Sequence, residues 1–220
     1  EVNIKEIEYL KPFETFLIDI ADQLLTNKED VLSLKILENL YTTRKFVKDI
    51  SNRLIFLYVR CNNTNKLTEI AMTAYLKTAD LKYLDILKKE LIPESYQNTI
   101  LRLKTQLKDK KSDAALWVKL FKNEEDWHGL IEYMSDMNDL EVVMQHDASL
   151  YKTERNSLIA LYKSIIMSFL DEHLGDNAHI YMDKLKNHFR AHHMEGMFVP
   201  LQAMLREKYT HRPKLLTVFQ

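Results

Sequence analysis

The sequence predicts an all-α protein, and three observations carry that prediction. Apolar residues recur at helical spacing along nearly the whole chain, as in Leu158, Leu161, Tyr162, Ile165, Ile166, Phe169 and Leu170. Short polar clusters such as Asn62-Asn63-Thr64-Asn65 and Asn123-Glu124-Glu125-Asp126 interrupt these runs at regular intervals. Only 3 glycines and 4 prolines occur in 220 residues, too few for the left-handed turns that hairpins and barrels need. Gly129, Gly175 and Gly196 lie far apart, so a Gly-rich phosphate cradle is excluded. Helices joined by short turns form hairpins. The expected architecture is therefore irregular helical hairpins stacked as an α-solenoid-like array of the TPR or HEAT type, with a compact bundle as the alternative. A content of 46% hydrophobic and 29% charged residues suits a globular chain rather than a disordered one.

The elements can be taken in chain order. Asn27 and Asp30 form a capping arrangement ahead of Val31, Leu34, Leu37 and Leu40. A helix from about Arg44 to Cys61 carries Phe46, Val47, Ile50, Leu54, Leu57 and Tyr58. After the asparagine cluster come Leu67, Ile70, Ala71, Ala74 and Tyr75, then a tight turn at Thr78-Ala79-Asp80 leading to Leu81, Leu84 and Leu87. Pro93 fits the first position of the next helix. Ser112 and Asp113 open another, with Ala115, Leu116, Leu120 and Phe121 apolar. Trp127, Leu130, Ile131 and Met134 mark the inner face of the helix after it, with Trp127 as its core anchor. The longest helix is expected over Thr153 to Leu174, ended by Gly175 at C′. Two further segments run from Asp176 to His193 and from Met197 to Tyr209, separated by Gly196, and Pro213 starts a terminal turn. The stretch from Tyr75 to Leu84 is echoed about 45 residues later from Leu120 to Leu130, a spacing within the range of two- or three-helix repeats. Residues 1–61 read as an N-terminal helical segment continuous with a helical-repeat region over 62–220.

Catalytic chemistry finds few footholds. The single Cys61 excludes an internal disulfide or a Cys-rich zinc site; coming after Leu57 and Val59, it reads as a half-buried hydrophobe. His188 and His192 stand at i,i+4 on one helix and could share a metal, with His193 beside them. A zinc site needs a third protein ligand, and a solvated face is the plainer reading. Glu125-x-x-His128 is half of a di-iron motif without its second half. His146-Asp147 resembles the dyad of HD phosphohydrolases, which also need an earlier histidine and a later aspartate; His128 and Asp171 or Asp176 would have to supply them. Asp147 reads more simply as an N-cap in a turn before Ala148-Ser149-Leu150. No cofactor is expected.

Charge is distributed unevenly. Residues 123–147 hold eight acidic side chains and no Lys or Arg. Glu124, Glu125, Asp126, Glu132, Asp136 and Asp139 are the candidate surface for a basic protein partner. From Lys184 to Lys214 seven basic residues face only Glu195 and Glu207. Lys186, Arg190, Arg206, Lys208, Arg212 and Lys214 are therefore candidates for sequence-independent contact with nucleic acid, supplemented by the basic run of Arg102, Lys104, Lys108, Lys110 and Lys111. No stretch is apolar for long enough to cross a membrane, and the cytoplasm is the default compartment. A start at Glu1 rather than Met suggests a piece of a longer protein.

The closing segment Leu205-Arg206-Glu207-Lys208-Tyr209-Thr210-His211-Arg212-Pro213-Lys214-Leu215-Leu216 resembles the end of the helical-repeat region that comes after the zinc finger in bacterial SWIM-type zinc finger proteins. Asp126-Trp127, Leu130-Ile131, Leu150-Tyr151 and Tyr181 to Leu185 extend the resemblance, which covers about Asn52 to Gln220. It implies a non-enzymatic interaction module within a larger regulatory or nucleic-acid-associated protein. The Cys-x-Cys and Cys-x-His of the finger are absent from this chain, so the finger's ligands have no counterpart here.

Overall fold

A computed structural model describes residues 4–43, 46–109 and 114–219. Among them it shows twelve α-helices and no strand. They are α1 (Ile4–Thr26), α2 (Asp30–Thr43), α3 (Lys48–Arg60), α4 (Thr64–Thr78), α5 (Lys82–Glu90) and α6 (Pro93–Asp109), then α7 (Ala114–Asn123), α8 (Trp127–Met137), α9 (Leu140–Thr153), α10 (Arg155–Glu172), α11 (Asp176–Ala191) and α12 (Phe198–Lys208). Short 3-10 turns occupy Glu195–Met197 and Leu215–Thr217. The expected helix starts at Arg44 and Ser112-Asp113, and the basic pair Lys110-Lys111, lie outside the described residues. No described helix is long and apolar enough to cross a membrane.

The chain divides into two compact units, Glu1–Lys119 and Leu120–Gln220. The boundary expected at 61/62 falls inside the first unit: the asparagine cluster there is a hairpin turn, and α3 packs on α4 across it. Unit 1 is a serial stack in which each helix from α1 to α6 packs on the next. Leu37, Leu54, Leu57, Tyr75, Leu84 and Leu87 are fully buried in it, each stabilising the fold by roughly 1.5–3 kcal/mol. Unit 2 gathers instead around α10, which packs against α8, α9 and α12. Leu158, Leu161, Tyr162, Ile165, Ile166 and Leu170 form the buried stripe of α10, as their 3.6-residue spacing requires.

One turn recipe recurs in both units. Lys28, Asn62, Ala79, Glu125, Asn138 and His193 adopt left-handed backbone, with φ between 48° and 64°. At Lys28, Asn62, Glu125 and His193 the paired bonds of a Schellman motif close the helix end, such as Asn63 N–H to Tyr58 O at 2.9 Å and Asn62 N–H to Val59 O at 3.2 Å. After four of the six, an Asp or Asn side chain caps the start of the next helical turn: Asn63 accepts from Lys66 N, Asp80 from Lys82 N, Asp126 from Gly129 N and Asp139 from Glu141 N. This shared recipe explains the echo between Tyr75–Leu84 and Leu120–Leu130. Gly129 allows its own turn, since a Cβ there would meet Phe121 Cε1 at 2.5 Å.

Several boundaries differ from the sequence reading. Asn27 ends α1, its N–H bonding Gln23 O, rather than capping α2. The helix expected over 153–174 is α10, cut to Arg155–Glu172 by the one-residue link Glu154, and α1 is longer. His173 caps α10, whereas Gly175, with φ 66°, immediately precedes α11. Cys61 is exposed at the end of α3. Trp127, first residue of α8, is only half-buried, and Trp117 on α7 is the buried tryptophan. The end of the chain behaves as its sequence pattern implies: Tyr209 ends α12 and donates to Asp171 Oδ1 at 2.7 Å. Arg212 donates to Leu170 O and His173 O at 2.8 and 2.9 Å, satisfying carbonyls left open at the end of α10.

Candidate functional site

Among the described residues, unit 2 holds a buried cluster that joins residues singled out by sequence. Asp147 sits in the interior of α9, 1% exposed, not in a turn; the turn lies earlier, at Asn138-Asp139, so Asp147 is not an N-cap. Its Oδ2 accepts from Tyr162 OH on α10 at 2.5 Å and lies 2.8 Å from His188 Nε2 on α11. Its Oδ1 is buried with no hydrogen-bond partner. Burial first, then the Asp147 charge, holds the Tyr162 phenol well above its ordinary range, so it serves as a donor. The Tyr162 ring meets Phe189 edge-on, with centroids 4.9 Å apart, and the His188 and His192 rings lie 4.5 Å apart.

This arrangement orients side chains but does not present them. With the Asp147 and His188 side chains 1% and 9% exposed, a reacting molecule has no approach, and the cluster acts as a polar node inside the core. His146, one residue away, turns elsewhere. Its Nδ1 lies 3.5 Å from Lys122 Nζ, and burial, then the Lys122 charge, lowers its pKa. His192 and His193 are exposed. His128 is exposed and pairs with Glu132 at 3.3 Å, while Asp171 accepts from Tyr209. The dyad, the earlier histidine and the later aspartate of the phosphohydrolase pattern are thus committed to separate partners. Among the described residues no group of three or more His, Cys, Asp or Glu is placed to hold a metal ion.

A second feature of unit 2 is half-buried, with the Tyr181 hydroxyl enclosed and without a hydrogen-bond partner. His173, Phe169 and Tyr181 stack in a column, with centroid separations of 4.1 and 3.8 Å and planes within 9° of parallel. Phe169 and His173 sit at i,i+4 across the end of α10, and Tyr181 comes from α11. Grooves of about 400 and 350 Å³ border the column, both lined by Phe169 and Tyr181. Asp139 and Glu172 line the first, Lys184 and Ile180 the second. Ile180 is 67% and the neighbouring Leu174 75% exposed. Periodicity hid this column, because Phe169 matched the core stripe and Tyr181 lies on another helix. The Phe169/His173 spacing was the available signal.

The acidic candidates divide by role. Asp126 and Asp139 cap helices, Glu124 accepts from Asn123 Nδ2 at 3.0 Å, and Glu125, Glu132 and Asp136 are exposed. Among the basic candidates Arg190, Arg206, Lys208 and Lys214 are exposed, Lys186 is half-buried and Arg212 is engaged with α10. No family model matches the chain, and no curated protein or solved structure matches it significantly.

Proposed function

We propose that the chain is a non-enzymatic, cytoplasmic helical interaction module whose unit 2 docks a basic protein segment. The observation that carries this reading is the half-buried aromatic column with its exposed aliphatic neighbours and acidic border. A bare Ile180 and Leu174 beside stacked rings offer apolar area for an anchor residue. Asp139 and Glu172 on the adjoining groove, with exposed Asp136 in the last turn of α8 next to the groove residue Met137, favour Lys or Arg on the incoming segment. The resemblance of the closing segment to the region after SWIM fingers supports placing the chain within a larger regulatory protein. The encoded sequence upstream of Glu1 tests that placement, since a Cys-x-Cys and Cys-x-His there would support it.

The test titrates a labelled amphipathic peptide of Lys and Leu at i,i+4 spacing. Phe169→Ala should abolish the apolar part of binding, and Asp136→Asn with Glu172→Gln should weaken it and flatten its salt dependence. Random-sequence duplex DNA is the second probe. Tighter binding of DNA than of peptide, lost on changing Arg190, Arg206, Lys208 and Lys214 to Gln, would replace this reading with the nucleic-acid one.

A further inference from the structure

The middle helix of the α4–α5–α6 run in unit 1 is short. α5 has 9 residues against 15 in α4 and 17 in α6, so at about 1.5 Å per residue it ends well before its neighbours. Where α5 stops, at Leu91, the first half of α4 faces the first half of α6 across a groove of about 430 Å³. Its most buried residues are Thr68 and Thr99, whose hydroxyls bond carbonyls of their own helices at 2.8 Å each and so ask nothing of a ligand. The remainder is polar and open. Asn65 and Asn98 present exposed carboxamides, and Glu69 and Arg102 present opposite charges. These four side chains make no hydrogen bond or ion pair among the described residues, and Glu69 and Arg102 share the groove without pairing with each other.

We propose that this groove binds a zwitterion, an α-amino acid or a short peptide with free ends, its carboxylate on Arg102 and its ammonium on Glu69. A guanidinium fork matches a carboxylate through two parallel hydrogen bonds. Each carboxamide offers both donor and acceptor, so Asn65 and Asn98 suit the N–H or C=O of a peptide unit. The volume is in the range that holds small ligands. A singly charged ligand leaves one of the two charges without a partner, and an apolar one removes water from the carboxamides without replacing its hydrogen bonds.

Backbone amide shifts of the full chain test this, with alanine, trialanine, N-acetyl-trialanine and trialanine amide as probes. Resonances of Asn65, Asn98 and Arg102 should move, and whether alanine or trialanine binds more tightly identifies the free amino acid or the peptide as the ligand. Arg102→Gln should weaken trialanine about tenfold and erase the preference for a free carboxylate over the amide; Glu69→Gln should do the same for the free amine over the acetyl group. Both side chains are exposed, so the variants keep their fold. Absence of shifts with all four probes up to about 10 mM, or binding indifferent to both variants, overturns the proposal.

Discussion

In both units charged or polar pairs tie helices that are next but one in the chain, and they do so at different depths. In unit 1 the charged ties are at the surface: Arg53 on α3 forks onto Asp22 on α1 at 2.7 and 2.8 Å, and Lys66 on α4 reaches Glu38 on α2. The neutral tie from Tyr83 OH on α5 to Asn52 Oδ1 on α3, at 3.0 Å, is partly buried. The Arg53 and Asp22 side chains are 31% and 44% exposed. In unit 2 one tie, Lys184 to Glu141, is likewise exposed, but the other, His188 to Asp147, lies in the core. Several hydroxyls buried in unit 1 are satisfied by carbonyls, as Ser33 by Ala21 O and Tyr75 by Leu116 O, while Tyr58 donates to Glu38 Oε1 and Asp30 Oδ1 is buried without a partner. A surface pair contributes little because water already solvates both partners. The buried pair is different: removing one partner strands the other in a medium that cannot solvate it. Unit 1 obtains its helix order from connectivity and apolar faces, whereas unit 2 adds a directional contact that selects which faces of α9, α10 and α11 meet.

Breaking the two ties gives the largest expected contrast. His188→Ala should destabilise unit 2 by about 3–5 kcal/mol, and Arg53→Ala should cost unit 1 less than about 1 kcal/mol. The two tryptophans fall one in each unit, Trp117 in the first and Trp127 in the second. Urea unfolding of Trp127→Phe and Trp117→Phe backgrounds therefore reports the units separately. Equal losses would show that burial does not separate the two ties.

The same contrast marks what the sequence disclosed. Helices and turns were legible because each depends on local spacing, and the asparagine and aspartate caps at 63, 80 and 126 stood in plain view. Asp147 and His188 were each conspicuous, but they lie 41 residues apart, and nothing local says that α9 and α11 meet. Tyr162 was hidden among the apolar residues of α10, where its ring fits the stripe and only its hydroxyl has the further task. Trp127 misled for a related reason: size and hydrophobicity favour burial, but the first position of α8 leaves it half-covered while Trp117, mid-helix on α7, is enclosed. The left-handed turns carried no glycine to announce them.

A smaller difference should appear on acidification. His146 in unit 2 has its pKa lowered from 6.5 by burial, with Lys122 adding to the effect. The unfolded chain then takes up this proton first, so its contribution is intact above about pH 6.5 and is lost as pH falls through the lower folded value. Asp22 in unit 1 is lowered from 3.8 by its hydrogen bond from Arg53, against some desolvation. Its contribution persists above about pH 3.8 and is lost only below that, as pH falls through the folded value. Unit 2 should therefore begin to lose stability at a higher pH than unit 1, and His146→Gln should remove the early loss. Melting curves at pH 7.5, 5.5 and 3.5, read on the single-tryptophan backgrounds, check the order. Loss beginning in unit 1 would contradict it.

The smallest expected effect concerns what the units share. Left-handed backbone costs a non-glycine residue about 1–2 kcal/mol, less for asparagine, and part of any gain on glycine substitution returns to the unfolded chain as entropy. Lys28→Gly and Ala79→Gly in unit 1 should therefore each add up to about 1 kcal/mol, and Asn62→Gly and Asn138→Gly should change little. Glu125 sits at φ 53° on the acidic run of unit 2, and Glu125→Gly should match Lys28→Gly if only backbone geometry matters there. Glu125→Gln keeps the strain and removes the charge, so it separates the two terms: no change in melting temperature leaves the turn as the whole explanation. A loss with both variants would mean that the Glu125 carboxylate stabilises unit 2, and the acidic run would then serve the fold rather than a partner.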